Sequence, residues 1–515
     1  MKGLHTTVAA AVAAAVIVAA STFAPQPRAQ AHAPLGTNVA RVDDWNPEYA
    51  FVDAFRQSRP WISGTATAFD DRRPLDLDAH GWVRSLQAGQ IARTLMFSAV
   101  PQHYPSGVYV VTYEGAGTIQ WSPNVRIVQS SPGRLAIDVD SGRGNLVLNI
   151  TATSPQNYLR NIHVYMPGAN PADVFNPSFL ESLAGYRAIR FMNWQATDGN
   201  WSVSTPTLQR TWADRPTLDD ARWSFMRGVP IEIMCALANR LNVDAWFSMP
   251  HPADDDYMRR FAQTVNALLN PNLKVYVEYS DEVWNGSYAQ APYAQQRGLA
   301  LGLSADPFQA QMRYHSLRSR QIFGIFEQVF PPSRLVRALS SQAGNPWVSS
   351  TVLNFSDTRL HTDVLAIAPY LDIRPPEQSK IVTQHMTLDQ LFNELNTVVA
   401  PQVAGMVKMH ADIAHTAGVG LAAYEGGQSL VALGNMQGDP WLNGLYDAAN
   451  RDARMGPLYA RMLQDWSGVA GGAVYMHFTN CSRWDQYGRF GALEWLEQPR
   501  SQAPKYDALL TWMGR

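Results

Sequence analysis

Hydrophobic and polar positions alternate in two distinct textures along the chain. Between about Gly64 and Gly168 the apolar residues recur with the period of two that half-buried strands require. Runs of this kind cover Val108–Tyr113, Val125–Val128, Arg134–Val139 and Asn145–Thr151. Short turns rich in Gly, Ser and Pro separate them, as at 130–133 and 141–144. This reads as a small antiparallel sandwich. On either side of it, short continuous apolar runs alternate with longer stretches of helical period. The apolar runs are Leu35–Val39, Tyr186–Met192, Asp244–Met249, Lys274–Ser280, Arg334–Leu339, Val364–Ala368, Gly420–Tyr424 and Gly472–Met476. Helices fit between them, for example Pro230–Leu241, Tyr257–Leu269 and Leu388–Ala417. Strand–helix alternation argues a parallel sheet covered by helices, and eight such units argue a closed (β/α)₈ (TIM) barrel. An open doubly wound sheet is the alternative, but no G-x-G-x-x-G turn follows the first strand. The expected organisation is a barrel over 34–63 and 169–515, with the β-rich module, 64–168, inserted after the first strand and helix.

The N-terminus stands apart. An uncharged Ala/Val-rich run, Val8–Ala20, follows Lys2 and precedes two overlapping A-x-A sequences in Ala29–Ala33. This reads as a secretory signal peptide over 1–33, cleaved near Ala31 or Ala33, and as a secreted or periplasmic protein. The run is shorter than the about 20 residues that span a bilayer, and no later stretch is apolar enough, so no membrane span is expected.

Composition narrows the function classes. The formal net charge is −2, and no basic run exists, which argues against a nucleic-acid partner. The 16 Trp and 20 Tyr could stack on sugar rings or fill a core. No Cys/His spacing resembles a metal site, and no cofactor is expected. Cys235 and Cys481 read as buried free thiols somewhat more readily than as a disulfide. The acidic run Asp254–Asp256 reads as helix N-terminal capping rather than a calcium loop, and His410 and His415 as ordinary packing or surface residues.

Catalytic groups in such barrels sit at the C-terminal ends of the strands. Those ends bring Trp45 after strand one and Arg190, Asn193 and Trp194 on and after strand two. They bring His251 after strand three, Asp281, Glu282 and Trp284 after strand four, Tyr370 after strand six and Glu425 after strand seven. Two carboxyl groups facing across a barrel mouth fit glycoside hydrolysis, about 5 Å apart in a retaining enzyme. Glu278 alternates onto the same face as Glu282 but about 13 Å deeper, and reads as a buried partner for an interior arginine.

A glutamate after strand four and another after strand seven resemble the clan A retaining glycoside hydrolases, and the stretch Tyr279–Asn285 (YSDEVWN) is the most specific segment. The resemblance covers the barrel and says little of the β-rich module. It implies Glu282 as acid/base and Glu425 as nucleophile. It also implies Tyr370 and Arg190 as contacts of the nucleophile, and a His resembling His251. Asn193, Trp45, Trp194 and Trp284 complete the expected substrate-binding set, Trp194 and Trp284 being the first choices for sugar platforms. The chain departs from the pattern at Asp281, where the clan has Asn donating to the sugar 2-hydroxyl. A second, milder departure is His477–Phe478, where the clan commonly has Trp. An ionised Asp only accepts hydrogen bonds, and it raises the pKa of a neighbouring Glu. The expected activity is retaining hydrolysis of a β-linked, glucan-like polysaccharide or oligosaccharide. The alternatives are a glycan-binding protein on a degenerate barrel, and a cell-surface protein whose β module binds.

Overall fold

The computed structural model describes residues 33–98, 100, 102–198 and 207–515. The expected leader therefore lies outside the described residues, apart from Ala33. Eight parallel strands close into a barrel in sequence order. They are β1 (Leu35–Asn38), β2 (Ala188–Arg190), β3 (Asp244–Met249), β4 (Val275–Tyr279), β5 (Leu335–Ser340), β6 (Val364–Ile367), β7 (Gly420–Ala423) and β8 (Tyr475–His477). Each falls within or within a residue of one of the eight apolar runs. β1 pairs β8 with Gly36 opposite Met476, and β2 with Asn38 opposite Arg190. A Cβ on Gly36 would collide with the Met476 side chain and the Ala188 carbonyl, so only glycine lets the seam close.

The chain between β1 and the module forms a single 3₁₀ turn, Ala54–Gln57, in place of a full helix. The short helix of this first unit, Pro177–Ser182, comes after the module. The module is two four-stranded antiparallel sheets. One runs in the order Ile62–Gly64, Ile91–Met96, Leu146–Thr153, Gly117–Trp121. The other runs Arg160–Tyr165, Gly107–Glu114, Arg134–Val139, Val125–Ser131. Alternate residues such as Tyr109, Val111, Ile137, Leu148 and Ile150 are buried between them. Asp53 ties the module to the barrel: its carboxylate accepts from Phe55 N–H and Val164 N–H and meets His163 Nδ1 at 2.8 Å.

The helix expected over Leu388–Ala417 is divided by one π turn, Leu395–Val399. Pro401 has no N–H and its ring crowds the preceding turn, which an extra residue per turn relieves. Asp254 caps Asp255–Leu268 by accepting from Tyr257 N–H, as the acidic run implied. Both cysteines are buried and free. His410 is buried between Ser349 Oγ and the Ala343 carbonyl, and His415 is exposed. Among the described residues no helix is long and apolar enough to cross a membrane.

Trp194 corrects one expectation. Its ring is fully buried, with Phe51, Phe191 and Phe179 at 5.5, 5.7 and 6.0 Å between centroids. It belongs to the aromatic core under the first βα unit, and no sugar can reach it. Trp194→Ala should therefore cost about 3–5 kcal/mol of folding stability, read as a lowered denaturant midpoint. An unchanged midpoint would contradict this placement.

Candidate active site

The barrel interior below the mouth is polar where aliphatic layers are usual. Arg190, on β2, is fully buried and reaches a set of four acceptors. Its Nη1 donates to Glu425 Oε1 at 2.6 Å and Asn38 Oδ1 at 3.1 Å. Its Nη2 donates to Glu278 Oε1 at 2.5 Å and Asp281 Oδ1 at 2.8 Å. The Tyr424 ring lies 4.9 Å from the guanidinium carbon. Glu278 is the buried arginine partner that its position implied, held also by Trp246 Nε1 at 2.8 Å and Ser248 Oγ at 2.7 Å.

The strand alternation expected to carry Glu278 and Glu282 onto one face does not extend to Glu282. The strand stops at Tyr279, and Ser280 (φ 60°) and Glu282 (φ 37°) take left-handed conformations. The period of two therefore ends there. The reversal turns Asp281 inward, so that Asp281 and Glu278 share one nitrogen of Arg190.

At the β7 tip, Glu425 is 6% exposed and is held from two sides, by Arg190 and by Tyr370 Oη at 3.0 Å. The residue after it must be glycine, because a Cβ on Gly426 would overlap the Tyr475 hydroxyl. At the β4 tip, Glu282 is half-buried and accepts from Asn285 Nδ2 at 2.7 Å. Burial, then the adjacent Asp281 carboxylate, pushes Glu282 up to about 7. Burial and then Asp281 also raise Glu425 well above the usual carboxylate range, while Arg190 and the Tyr370 hydrogen bond pull it down. Glu282 adds to the upward push on Glu425, so the two carboxyls interact directly by charge. Charge-assisted donors favour the anion. Glu425 has a guanidinium and a phenol, and Glu282 has a neutral amide. Of the pair, Glu425 is the better place for the negative charge and Glu282 for the proton.

The other expected residues divide. Asn193 donates to the Val39 carbonyl at 3.0 Å, which ties the β1 and β2 tips together rather than facing the carboxyls. His251 is buried edge-on to Tyr293, and burial, with Arg210, lowers it to about 4, so the ring is neutral. No hydrogen bond joins it to the Arg190 network among the described residues. Trp284 is buried as well, 6.4 Å from the Tyr424 ring and 6.2 Å from that of His315, and backs Tyr424 rather than presenting an open face. Trp45 is partly exposed at the rim, edge-on to Phe225 and near the Arg59 guanidinium. Beside Tyr370 stand Phe478 and Phe490, 6.5 and 6.0 Å away, both partly exposed.

Several contributors escaped sequence reasoning. Asn38 donates to the Tyr424 and His477 carbonyls while accepting from Arg190. Asn285 holds Glu282. Asp198 is buried, its Oδ2 has no hydrogen-bond partner, and burial raises it to about 7 against the pull of Arg41. Only Asn285, three residues after Glu282 and so able to fold back on it, left a local signal. Among the described residues no group of three or more His, Cys, Asp or Glu side chains could hold a metal ion.

No family profile and no curated protein matches the chain. Among solved structures it is similar to a GH51 arabinofuranosidase from Xanthomonas axonopodis pv. citri, at 11% identity and TM-score 0.36, over 61% of this chain and 62% of that one. It is similar to a double mutant of a Cellulomonas fimi endo-β-1,4-mannanase, at 13% identity and TM-score 0.30, over 55% and 57%. A hyperthermostable endo-1,4-β-D-mannanase from Thermotoga petrophila matches at 12% identity and TM-score 0.31, over 65% and 93%. The chain thus spans less than two thirds of the first two structures. The barrel itself is established by its own strand order.

Proposed function

We propose that this protein is a retaining glycoside hydrolase acting on a β-linked polysaccharide or oligosaccharide, with Glu425 as nucleophile and Glu282 as acid/base. One observation carries the reading. Arg190 and Tyr370 both donate to the Glu425 carboxyl at the β7 tip, while Glu282 at the β4 tip accepts from the neutral Asn285 amide and is pushed up to about 7. Two carboxyl groups with such divided environments are what general acid and nucleophile require.

In the first step Glu282 gives its proton to the glycosidic oxygen as the bond to the anomeric carbon breaks. A Glu425 oxygen attacks that carbon from the opposite face and forms a glycosyl ester. Glu282, now ionised, takes a proton from water, whose oxygen attacks the same carbon and releases Glu425. Arg190 and Tyr370 hold the Glu425 oxygens in place and stabilise the carboxylate as it leaves. The chemistry uses side chains alone. The expected N-terminal leader fits a secreted or periplasmic enzyme that meets glycan outside the cytoplasm. Trp45 at the rim and the Phe478–Phe490 wall are proposed to contact sugar rings.

Glu282→Gln should slow cleavage of substrates with poor leaving groups by about 10²–10⁴-fold. It should spare the first step on activated aryl glycosides, which need no protonation. Equal rates on both classes, matching wild type, would remove Glu282 as the acid.

Asp281→Asn removes a negative charge that raises Glu282. Activity needs Glu282 protonated, so the basic limb of the pH profile lies at its pKa and should move to lower pH in this variant. A limb that stays in place or rises contradicts the assignment.

A further inference from the structure

We infer that the sugar cleaved at this site carries a free amino group on the carbon next to its anomeric centre, and that Asp281 is the residue that reads it. This inference rests on the hydrolase reading above and names the substrate class for the same site.

One arginine can neutralise only part of the charge gathered round it. Glu425, Asp281 and Glu278 all take hydrogen bonds from Arg190. Glu282 stands beside them with a neutral amide as its hydrogen-bond partner. Asp198, buried and with one oxygen unpartnered, feels the charge of Asp281. Five carboxyl groups thus lie round Arg190, and the nearby Arg41 is itself paired with Asp43 at 3.5 Å. The site holds more carboxyl than guanidinium groups, and the charge of Asp281 adds to burial in raising Glu282 and Asp198. A bound cation would offset that excess. The carboxyls are not gathered round one point, since no described group of three could hold a metal ion. An organic cation spread along the site fits better.

Geometry places that cation. Glu425 must meet the anomeric carbon. Asp281 is held on the neighbouring nitrogen of the same guanidinium, and Glu278 on that nitrogen is fully buried beneath it. Asp281 precedes Glu282 in the chain and shares the Arg190 guanidinium with Glu425, and its charge adds to burial in raising both. The anomeric carbon has two ring neighbours. One is the ring oxygen, which has no hydrogen to give and would repel a carboxylate. The other is the adjacent carbon, whose substituent can donate. A carboxylate beside the nucleophile therefore reads that substituent. A hydroxyl there would leave the charge excess in place, and a protonated amine reduces it by one charge. There is a kinetic reason as well. An ammonium next to the anomeric carbon opposes the positive charge that develops there during cleavage, and a carboxylate held against the ammonium offsets the opposition. An N-acetylated amine is neutral and would lose both advantages.

The test uses matched aryl β-glycosides with 2-amino, 2-hydroxyl or 2-acetamido groups, in the gluco, manno and galacto configurations, against wild type and Asp281→Asn. In the configuration the wild type accepts, kcat/KM should favour the 2-amino compound over the 2-hydroxyl one by about 10–100-fold, the strength of one charged hydrogen bond. Asp281→Asn should bring that ratio close to one. Should this variant fail to fold, the wild-type ratio decides alone. Calorimetric binding of 2-amino and 2-hydroxyl oligosaccharides to Glu282→Gln provides a readout independent of turnover and should show the same order. Turnover with no amine preference, or with a ratio unchanged in Asp281→Asn, overturns the inference and leaves hydrolysis standing. Amine-selective binding without turnover of any glycoside by wild type does the reverse. Neither binding nor turnover overturns both.

Discussion

A fully buried guanidinium with three carboxylates on its two terminal nitrogens is the constraint on which the rest of this site depends. A charge in such a place persists only if it is paired and its hydrogen bonds are met. Arg190 is paired through both terminal nitrogens, drawing together Asn38 of β1, Glu278 and Asp281 on and after β4, and Glu425 at the β7 tip, while its Nε has no hydrogen-bond partner. The barrel supplies the register that makes this possible, since Asn38 pairs directly with Arg190 across the β1–β2 seam. Removing Arg190 would leave three carboxyls buried against one another, a penalty of about 3–5 kcal/mol by analogy with broken buried pairs. The polar barrel interior is therefore a structural commitment as well as a chemical one.

The second constraint is the end of β4. Two consecutive strand residues would put Asp281 and Glu282 on opposite faces of the sheet. The left-handed backbone at Ser280 and Glu282 instead sends Asp281 into the Arg190 network and leaves Glu282 partly buried at the strand end. Left-handed non-glycine residues cost about 1–3 kcal/mol each and persist where the surroundings enforce them. Here the enforcing contacts are the Arg190 bond to Asp281, the Gln290 amide on the Asp281 carbonyl at 2.7 Å, and Asn285 on Glu282. The strained turn sets Glu282 beside a second carboxylate, whose charge adds to burial in raising its pKa.

The eight barrel strands were legible because each is a continuous apolar run, which the period of a doubly covered parallel strand produces. Half of the sandwich strands were legible for the complementary reason. Those that were missed, such as Gly117–Trp121 and Arg160–Tyr165, carry Gly, Gln, Arg and Asn on their outer faces, which blurs the alternation. Glu282, Glu425, Arg190 and Tyr370 could be placed from strand ends alone, since a barrel fixes where strand ends meet. Trp194 could not, because an aromatic residue after a strand reads the same whether it faces sugar or packs on Phe51, Phe179 and Phe191. Neither could the kink at Ser280, since nothing in Tyr-Ser-Asp-Glu requires a positive φ. Asn38 and Asp198 depend on contacts distant in sequence and have no local signature.

The account stands or falls on Glu425 forming a covalent bond to sugar. A panel of 5-fluoro glycosyl fluorides, which keep the substituent next to the anomeric carbon, should trap that ester in the wild-type protein, and peptide mass mapping would locate it. The account predicts a single adduct on the peptide containing Glu425, absent in Glu425→Ala. A label on another carboxylate would contradict it, as would turnover of these compounds with inversion and no adduct.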